Sequence, residues 1–432
     1  MLRMGYALDS GLRRNDDIES LFSALSVARV ITMSNNPLNL EPRLQAIVEQ
    51  EYPRFSDAEY ARRHRLLGDA MAKHGCDHLL VITDHRAGNA VQWVTGWPGT
   101  NEAYVVFKPG VKMTMFMEWF NHFPLGRKMA RDVDTHWGEH RGIEKTIEEL
   151  KRRGAARVGI MGPLVAGKYK KLEQQFDMVS LDAEYVRCRM IKSEEEIDWL
   201  RIGAAMSDAG FASLLAGTQP GVSERELGAL VEGAYIRHGG TTMIRYIGVT
   251  AMANPHLFVP AQYPSPRKVQ AGDVVFCELS ALWWDYAGQV LRTFFVDAEP
   301  PPLYKDLHAT AEAAFDAVTQ VVRHGATMEE ILAAADIVEK NGFTICDDLM
   351  HGFGGGYFQP IIGSRSRPAG PLPQMTLEEN MTVVVQPNVT TINDDWSKRA
   401  GVQVGELIRV TKTGFEKLHR TPRGAFRSGT SL

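Results

Sequence analysis

Two patterns of apolar residues alternate along this chain. In some stretches they recur every three or four positions, as in half-buried helices; elsewhere they form short continuous runs, as in buried strands. Ser56-Asp-Ala-Glu59 is a capping signature, and the apolar positions Tyr60, Leu66, Leu67 and Met71 follow at helical spacing until Gly75 ends the helix. Residues 79–83, 104–107 and 113–117 read as strands, the last two joined by a turn at Lys108-Pro-Gly110. A charged amphipathic helix over 143–153 and a strand over 157–161 complete an alternating α/β domain, placed at residues 46–186.

The pattern then changes. Capping boxes recur at Ser193/Glu196, Ser223/Glu226 and Thr327/Glu330. The helix after Ser223 is expected to run to His238 and stop at Gly239-Gly240. The one after Thr327 is expected to run to Lys340 and stop at Asn341-Gly342. A β-rich stretch follows each, which suggests an α+β domain built from two similar halves over 187–425, with 426–432 as a tail. Within it, residues 272–296 read as a hairpin turning at 284–288. Glu278 interrupts its first apolar strand and Gln289 opens the second. A charge in such a strand is costly without a partner nearby.

Composition narrows the function. Lys and Arg number 48 against 52 Asp and Glu, a net charge of −4, so the basic footprint of a nucleic-acid binder is missing. No apolar run reaches the roughly 18 residues of a membrane span. The four cysteines, Cys76, Cys188, Cys277 and Cys346, are far apart and form no CxxC pair, so buried thiols in a reducing, cytoplasmic setting are expected. Residues 21–31 have the length of a signal-peptide core, but Asp16, Asp17 and Glu19 precede it where a signal needs positive charge. Residues 1–45 are expected to be an extension, with Met33 as an alternative start.

Four segments carry a family resemblance: 189–201, the hairpin end Leu291-Arg-Thr-Phe-Phe-Val296, Met350-His-Gly-Phe-Gly-Gly-Gly-Tyr-Phe-Gln-Pro360, and 375–411 with Val385-Gln-Pro387 and Gly401-Val-Gln-Val-Gly-Glu406. Together they resemble the creatinase/aminopeptidase P/prolidase family. The resemblance implies a pita-bread C-terminal domain preceded by a smaller α/β creatinase-type domain, with Trp93-Val-Thr-Gly-Trp97 at the usual place. Metallopeptidases of this fold hold two metal ions with two Asp, one His and two Glu. Here those positions carry Glu278, Gln289, His351, Gln386 and Gly405, with Glu406 one residue away. A second family histidine is replaced by Phe358.

This set implies chemistry without a dinuclear centre. No cofactor is expected, a single weakly held divalent metal being the alternative. Glu278 and His351 are expected to form an acid–base pair, the carboxylate raising the basicity of the imidazole. Gln289 and Gln386 would offer amide donors to an oxyanion, and the glycines after His351 would let substrate reach the backbone. His256, after Asn254-Pro255, is a third catalytic candidate. Arg245, Tyr357 and Glu406 are candidates for substrate binding, Arg245 through a substrate carboxylate. Arg245, Asn254-Pro255 and Met350-His-Gly352 also resemble the dimethylsulfoniopropionate lyase branch. Glu102 falls where creatinase places a substrate-binding Arg, and Trp93, Trp97, Trp283 and Trp284 are candidates for a pocket lining. The expected activity is metal-independent hydrolysis of a C–N bond in a small molecule by a cytoplasmic homodimer. Alternatives are a lyase of the same fold, a metal-dependent Xaa-Pro peptidase and a non-catalytic binding protein.

Overall fold

Side-chain caps set where the main helices begin, as the computed structural model shows over the residues it describes, 38–84, 89–99 and 101–432. Ser193/Glu196, Ser223/Glu226 and Thr327/Glu330 form reciprocal boxes at the starts of Glu194–Gly217, Glu224–Ile236 and Met328–Ala334. Ser56 also caps Asp57–His74, but Glu59 does not reach back, because Arg62 and Arg63 take its carboxylate. The helix expected to run to 340 is broken: Met328–Ala334 ends and a short turn, Ile337–Lys340, follows.

The N-terminal domain holds β1 (His78–Thr83), β2 (Ala103–Lys108), β3 (Val111–Met117), β4 (Val133–Trp137), β5 (Arg157–Met161) and β6 (Asp177–Ser180), in the order β4-β3-β2-β1-β5-β6. Central β1 is buried along its whole length, which is why its sequence is a continuous apolar run. Trp93 and Trp97 pack in this domain's core rather than lining a pocket.

The C-terminal domain contains β7 (Thr241–Ala251), β8 (Asp273–Trp283), β9 (Tyr286–Phe295), β10 (Thr344–Ile345), β11 (Met350–Phe353), β12 (Tyr357–Ile362), β13 (Thr382–Val385), β14 (Val389–Thr390), β15 (Gly405–Val410), β16 (Phe415–Lys417) and β17 (Phe426–Arg427). Its main sheet runs β12-β11-β13-β15-β9-β8-β7. The helices Glu194–Gly217 and Glu224–Ile236 precede β7–β9; Pro302–Val321 and Met328–Ala334 precede β10–β15. Helices followed by strands thus occur twice. The β8–β9 turn is only Trp284-Asp285, with φ of +48° and +75°, tighter than the five residues expected. Trp283 stacks edge-on with Trp199 in the core.

Two expected boundaries move. The apolar run at 21–31 and Met33 lie outside the described residues, but Leu38, Leu40 and Leu44 are buried in the core that contains Leu200 and Leu214. Residues from 38 onward therefore pack with the C-terminal domain, because their leucines complete its apolar surface. At the other end, β17 pairs with β9, so 426–427 belong to the sheet rather than to a tail.

A buried ion cluster joins the domains. Arg63 bonds Glu59, Glu196, the Tyr286 hydroxyl and the Trp93 carbonyl. Arg63 and Glu196 are each 1% exposed, a burial tolerated only because both charges are paired several times over.

Candidate active site

Strand register sorts the polar positions onto two faces. Glu278 stands opposite Leu291 and Ser280 opposite Gln289, so Glu278 and Gln289 are diagonal neighbours on one face. Tyr246 of β7 pairs with Glu278. Gly405 lies opposite Leu291, His351 opposite Val384, and Val384 opposite Leu407. The two-residue period then puts Tyr246, Glu278, Gln289, His351, Gln386 and Gly405 on one face, and Arg245 and Glu406 on the other.

On a flat sheet the four strand steps from β8 to β11 would separate Glu278 and His351 by about 19 Å. Curling brings the chain just before β11 back toward Glu278. Asp347 and Asp348, just before β11, act on the Glu278 carboxyl, and both Glu278 and Asp348 act on Tyr357 of β12.

The hydrogen bonds define the protonation pattern. The Gln289 Nε2 donates to Glu278 Oε1 at 2.5 Å. The Gln386 Nε2 donates to Asp348 Oδ1 at 3.3 Å. His351 Nδ1 lies 3.2 Å from the Gly352 carbonyl oxygen, which can only accept, so Nδ1 carries the proton. Nε2 keeps the lone pair and faces Asp348 Oδ2 at 3.9 Å. Burial, then Asp347 and Asp348, push the Glu278 carboxyl up to about 8. Burial and Asp347 push Asp348 to about 8. Burial lowers His351 to about 4, outweighing the Gly352 carbonyl, Asp347 and the Gln386 amide. Tyr357, half-exposed with its ring 4.8 Å from that of His351, has its hydroxyl pushed up by burial. At neutral pH Glu278 and Asp348 therefore hold their protons and the His351 imidazole is neutral. That reverses the expected pairing, because desolvation disfavours both charges and no carboxylate is bonded to His351.

Several expected site residues lie elsewhere. Arg245 is on the far face, against Gly228 and 3.3 Å from Glu232. Glu406 is 1% exposed and bound to Arg292 at 2.5 Å, also away from the face that bears Glu278. His256 is exposed and bonds Thr250 at 2.9 Å. Thr250 lies four residues along β7 from Tyr246, about 13 Å, which puts His256 on the rim rather than beside Glu278. Glu102 is bound to Lys168. The amide donors of Gln289 and Gln386 are already used on carboxyls, and their Oε1 atoms have no hydrogen-bond partner among the described residues. Gly355 serves the domain junction: its carbonyl accepts from Asn89, and a Cβ there would lie 2.3 Å from Arg189 Nη2.

Asp347, Asp348 and Tyr246 were not anticipated. The acid pair directly precedes Leu349-Met-His351, and that adjacency was the available signal.

The residues at the five metal positions do not fit a dinuclear centre. One carboxyl, one imidazole, two carboxamides and a glycine cannot neutralise about four positive charges. Among the described residues, no group of three or more His, Cys, Asp or Glu side chains is arranged to hold a metal ion. No described helix is long and apolar enough to cross a membrane.

Residues 63–191 match the Creatinase/Prolidase N-terminal domain and residues 198–412 match Metallopeptidase family M24. An uncharacterized hydrolase/peptidase of Sinorhizobium fredii is 25% identical over 405 residues, covering 85% of this chain and 97% of that protein. The Xaa-Pro dipeptidase of Pyrococcus furiosus is 22% identical over 275 residues, covering 62% of this chain and 74% of its own. Among solved structures, the Xaa-Pro dipeptidase from Bacillus anthracis superposes with a TM-score of 0.72 at 21% identity, covering 85% of this chain and 99% of that one. With its creatinase-type domain followed by the pita-bread domain, the chain belongs to metallopeptidase family M24.

Proposed function

We propose that this protein is a hydrolase that cleaves a C–N bond of a small molecule by acid–base chemistry without metal. The observation that carries this reading is the tautomer of His351, protonated at Nδ1, on the same sheet face as Glu278, whose carboxyl is held protonated. In this reading His351 Nε2 takes a proton from water, and the oxygen of that water attacks the carbon of the C–N bond. Asp348 lies beside the imidazolium as it forms. Glu278 gives its proton to the leaving nitrogen, and the Tyr357 hydroxyl donates to the developing oxyanion. Gln289 and Gln386 hold the two carboxyls by their amide N–H groups. The proposal includes a cytoplasmic homodimer in which each N-terminal domain closes its partner's site.

A metal-dependent Xaa-Pro peptidase is the second reading, favoured by the names of the relatives. The elimination reading draws no support from those relatives, which are named hydrolases or peptidases. The test is elemental mass spectrometry on protein purified without chelator, followed by hydrolysis assays on amidines, amides, betaines and Xaa-Pro dipeptides. Turnover without metal, lost in both H351Q and E278Q, is the expected result. Stoichiometric metal, with Xaa-Pro cleavage that a chelator abolishes, would overturn it in favour of the peptidase.

A further inference from the structure

A cavity of about 350 Å³ lies at Cys346, the residue that precedes the acid pair. Phe258 and Ile345 are its buried apolar walls, while Ile392 and Trp396 are 64% and 62% exposed. Two arginines, Arg367 and Arg399, also line it.

Neither arginine has a carboxylate within ion-pair distance among the described residues, although acids are available close by. Arg365, two residues from Arg367, is paired with both Glu329 and Asp336. Arg399 is held in place by other means. Its Nε donates to the Asn393 carbonyl at 2.7 Å. Its guanidinium lies 4.8 Å from the Trp396 ring centre and 5.7 Å from that of Phe258. Those two rings meet edge-on at 5.6 Å. These contacts fix the guanidinium but occupy neither terminal nitrogen. The hydroxyls at the cavity are already committed: Thr344 bonds Ser366, and Ser366 donates to Glu339. What the cavity lacks is an acceptor, preferably an anion.

We propose that this cavity binds a small organic acid with an apolar body, its carboxylate between Arg367 and Arg399 and its body against Phe258, Ile345 and Trp396. A planar two-oxygen anion matches the donor fork of a guanidinium. Apolar walls with a few fixed polar groups are the ordinary make-up of a ligand pocket, and this volume is at the small end of that range. The charge of Arg367 also reaches Asp348, in the cluster assigned above to the proposed chemistry. A bound carboxylate would offset that charge.

Binding can be measured by isothermal titration calorimetry with 3-phenylpropionate, using 3-phenylpropionamide as the neutral analogue. The acid is expected to bind saturably, and the amide roughly tenfold more weakly or worse. R367Q and R399Q should each lose about tenfold or more in affinity for the acid. Arg367 makes no side-chain hydrogen bond among the described residues, so R367Q is expected to fold normally, which circular dichroism would check. E278Q should bind the acid as the wild type does, which separates this inference from the chemistry assigned to Glu278. Equal binding of acid and amide, unchanged affinity in both folded arginine variants, or no saturable binding up to about 10 mM would each overturn it.

Discussion

Replacing Glu278 by glutamine should make the protein more stable at alkaline pH while removing its proposed general acid. Glutamine keeps the volume and the oxygen that accepts from Gln289. It removes only the proton that burial and the neighbouring acids force onto this carboxyl. In the folded protein that proton is held up to about pH 8, whereas an unperturbed glutamic acid releases it near 4.5. The folded state thus binds more protons across that window. The stability linked to this group is full below about 4.5 and is lost as pH rises through 8. The difference corresponds to at most about 5 kcal/mol. A chain of this size should convert that to roughly 6 °C in Tm. Asp348 titrates in both proteins, so the quantity to compare is the difference between the two pH profiles. Thermal unfolding followed by circular dichroism at pH 5, 7 and 9 should show the two proteins melting together at pH 5, with E278Q melting higher at pH 9. Parallel loss of Tm from pH 5 to 9 would refute the argument, because Glu278 would then be ionised at little cost.

Other expectations follow from the same geometry. Once a substrate is found, kcat/KM should be bell-shaped, falling below about pH 4 as His351 gains a proton and above about pH 8 as Glu278 loses its own. In H351Q the rate should drop by about 10²- to 10⁴-fold; a flat pH profile or a fully active H351Q would remove His351 from the chemistry. Glu196→Gln removes one of the two carboxylates paired with the buried Arg63, leaving Glu59, and should cost about 3 kcal/mol in urea unfolding. Gly355→Ala puts a Cβ at φ +97°, 2.3 Å from Arg189 Nη2, and should cost about 1–3 kcal/mol. Limited proteolysis would show whether that loss opens the domain junction.

Local rules account for what was legible before the structure. A capping box involves only neighbours in the chain, so Ser193, Ser223 and Thr327 marked their helix starts correctly. A buried strand needs an apolar run, so the strand at 157–161 was read with its bounds. The break after Ala334 was missed because periodicity continues through it. Glu278, Gln289, His351 and Gln386 were singled out because family motifs mark those positions, and register puts all four on one sheet face.

By itself the sequence determined the order of elements, the two-domain family architecture and the unusual residues at the metal positions, since all of these rest on local pattern and motif spacing. Only the tertiary structure decided which polar side chains meet and in what protonation state. Register sent Arg245 and Glu406 to the far face, because each residue along a strand changes sides. The curl of the sheet brought Asp347 and Asp348 within electrostatic reach of Glu278, across about seventy residues of chain. Burial then set the charges. Where burial strips a group of water its neutral form wins, so the carboxyl holds its proton and the imidazole gives its up.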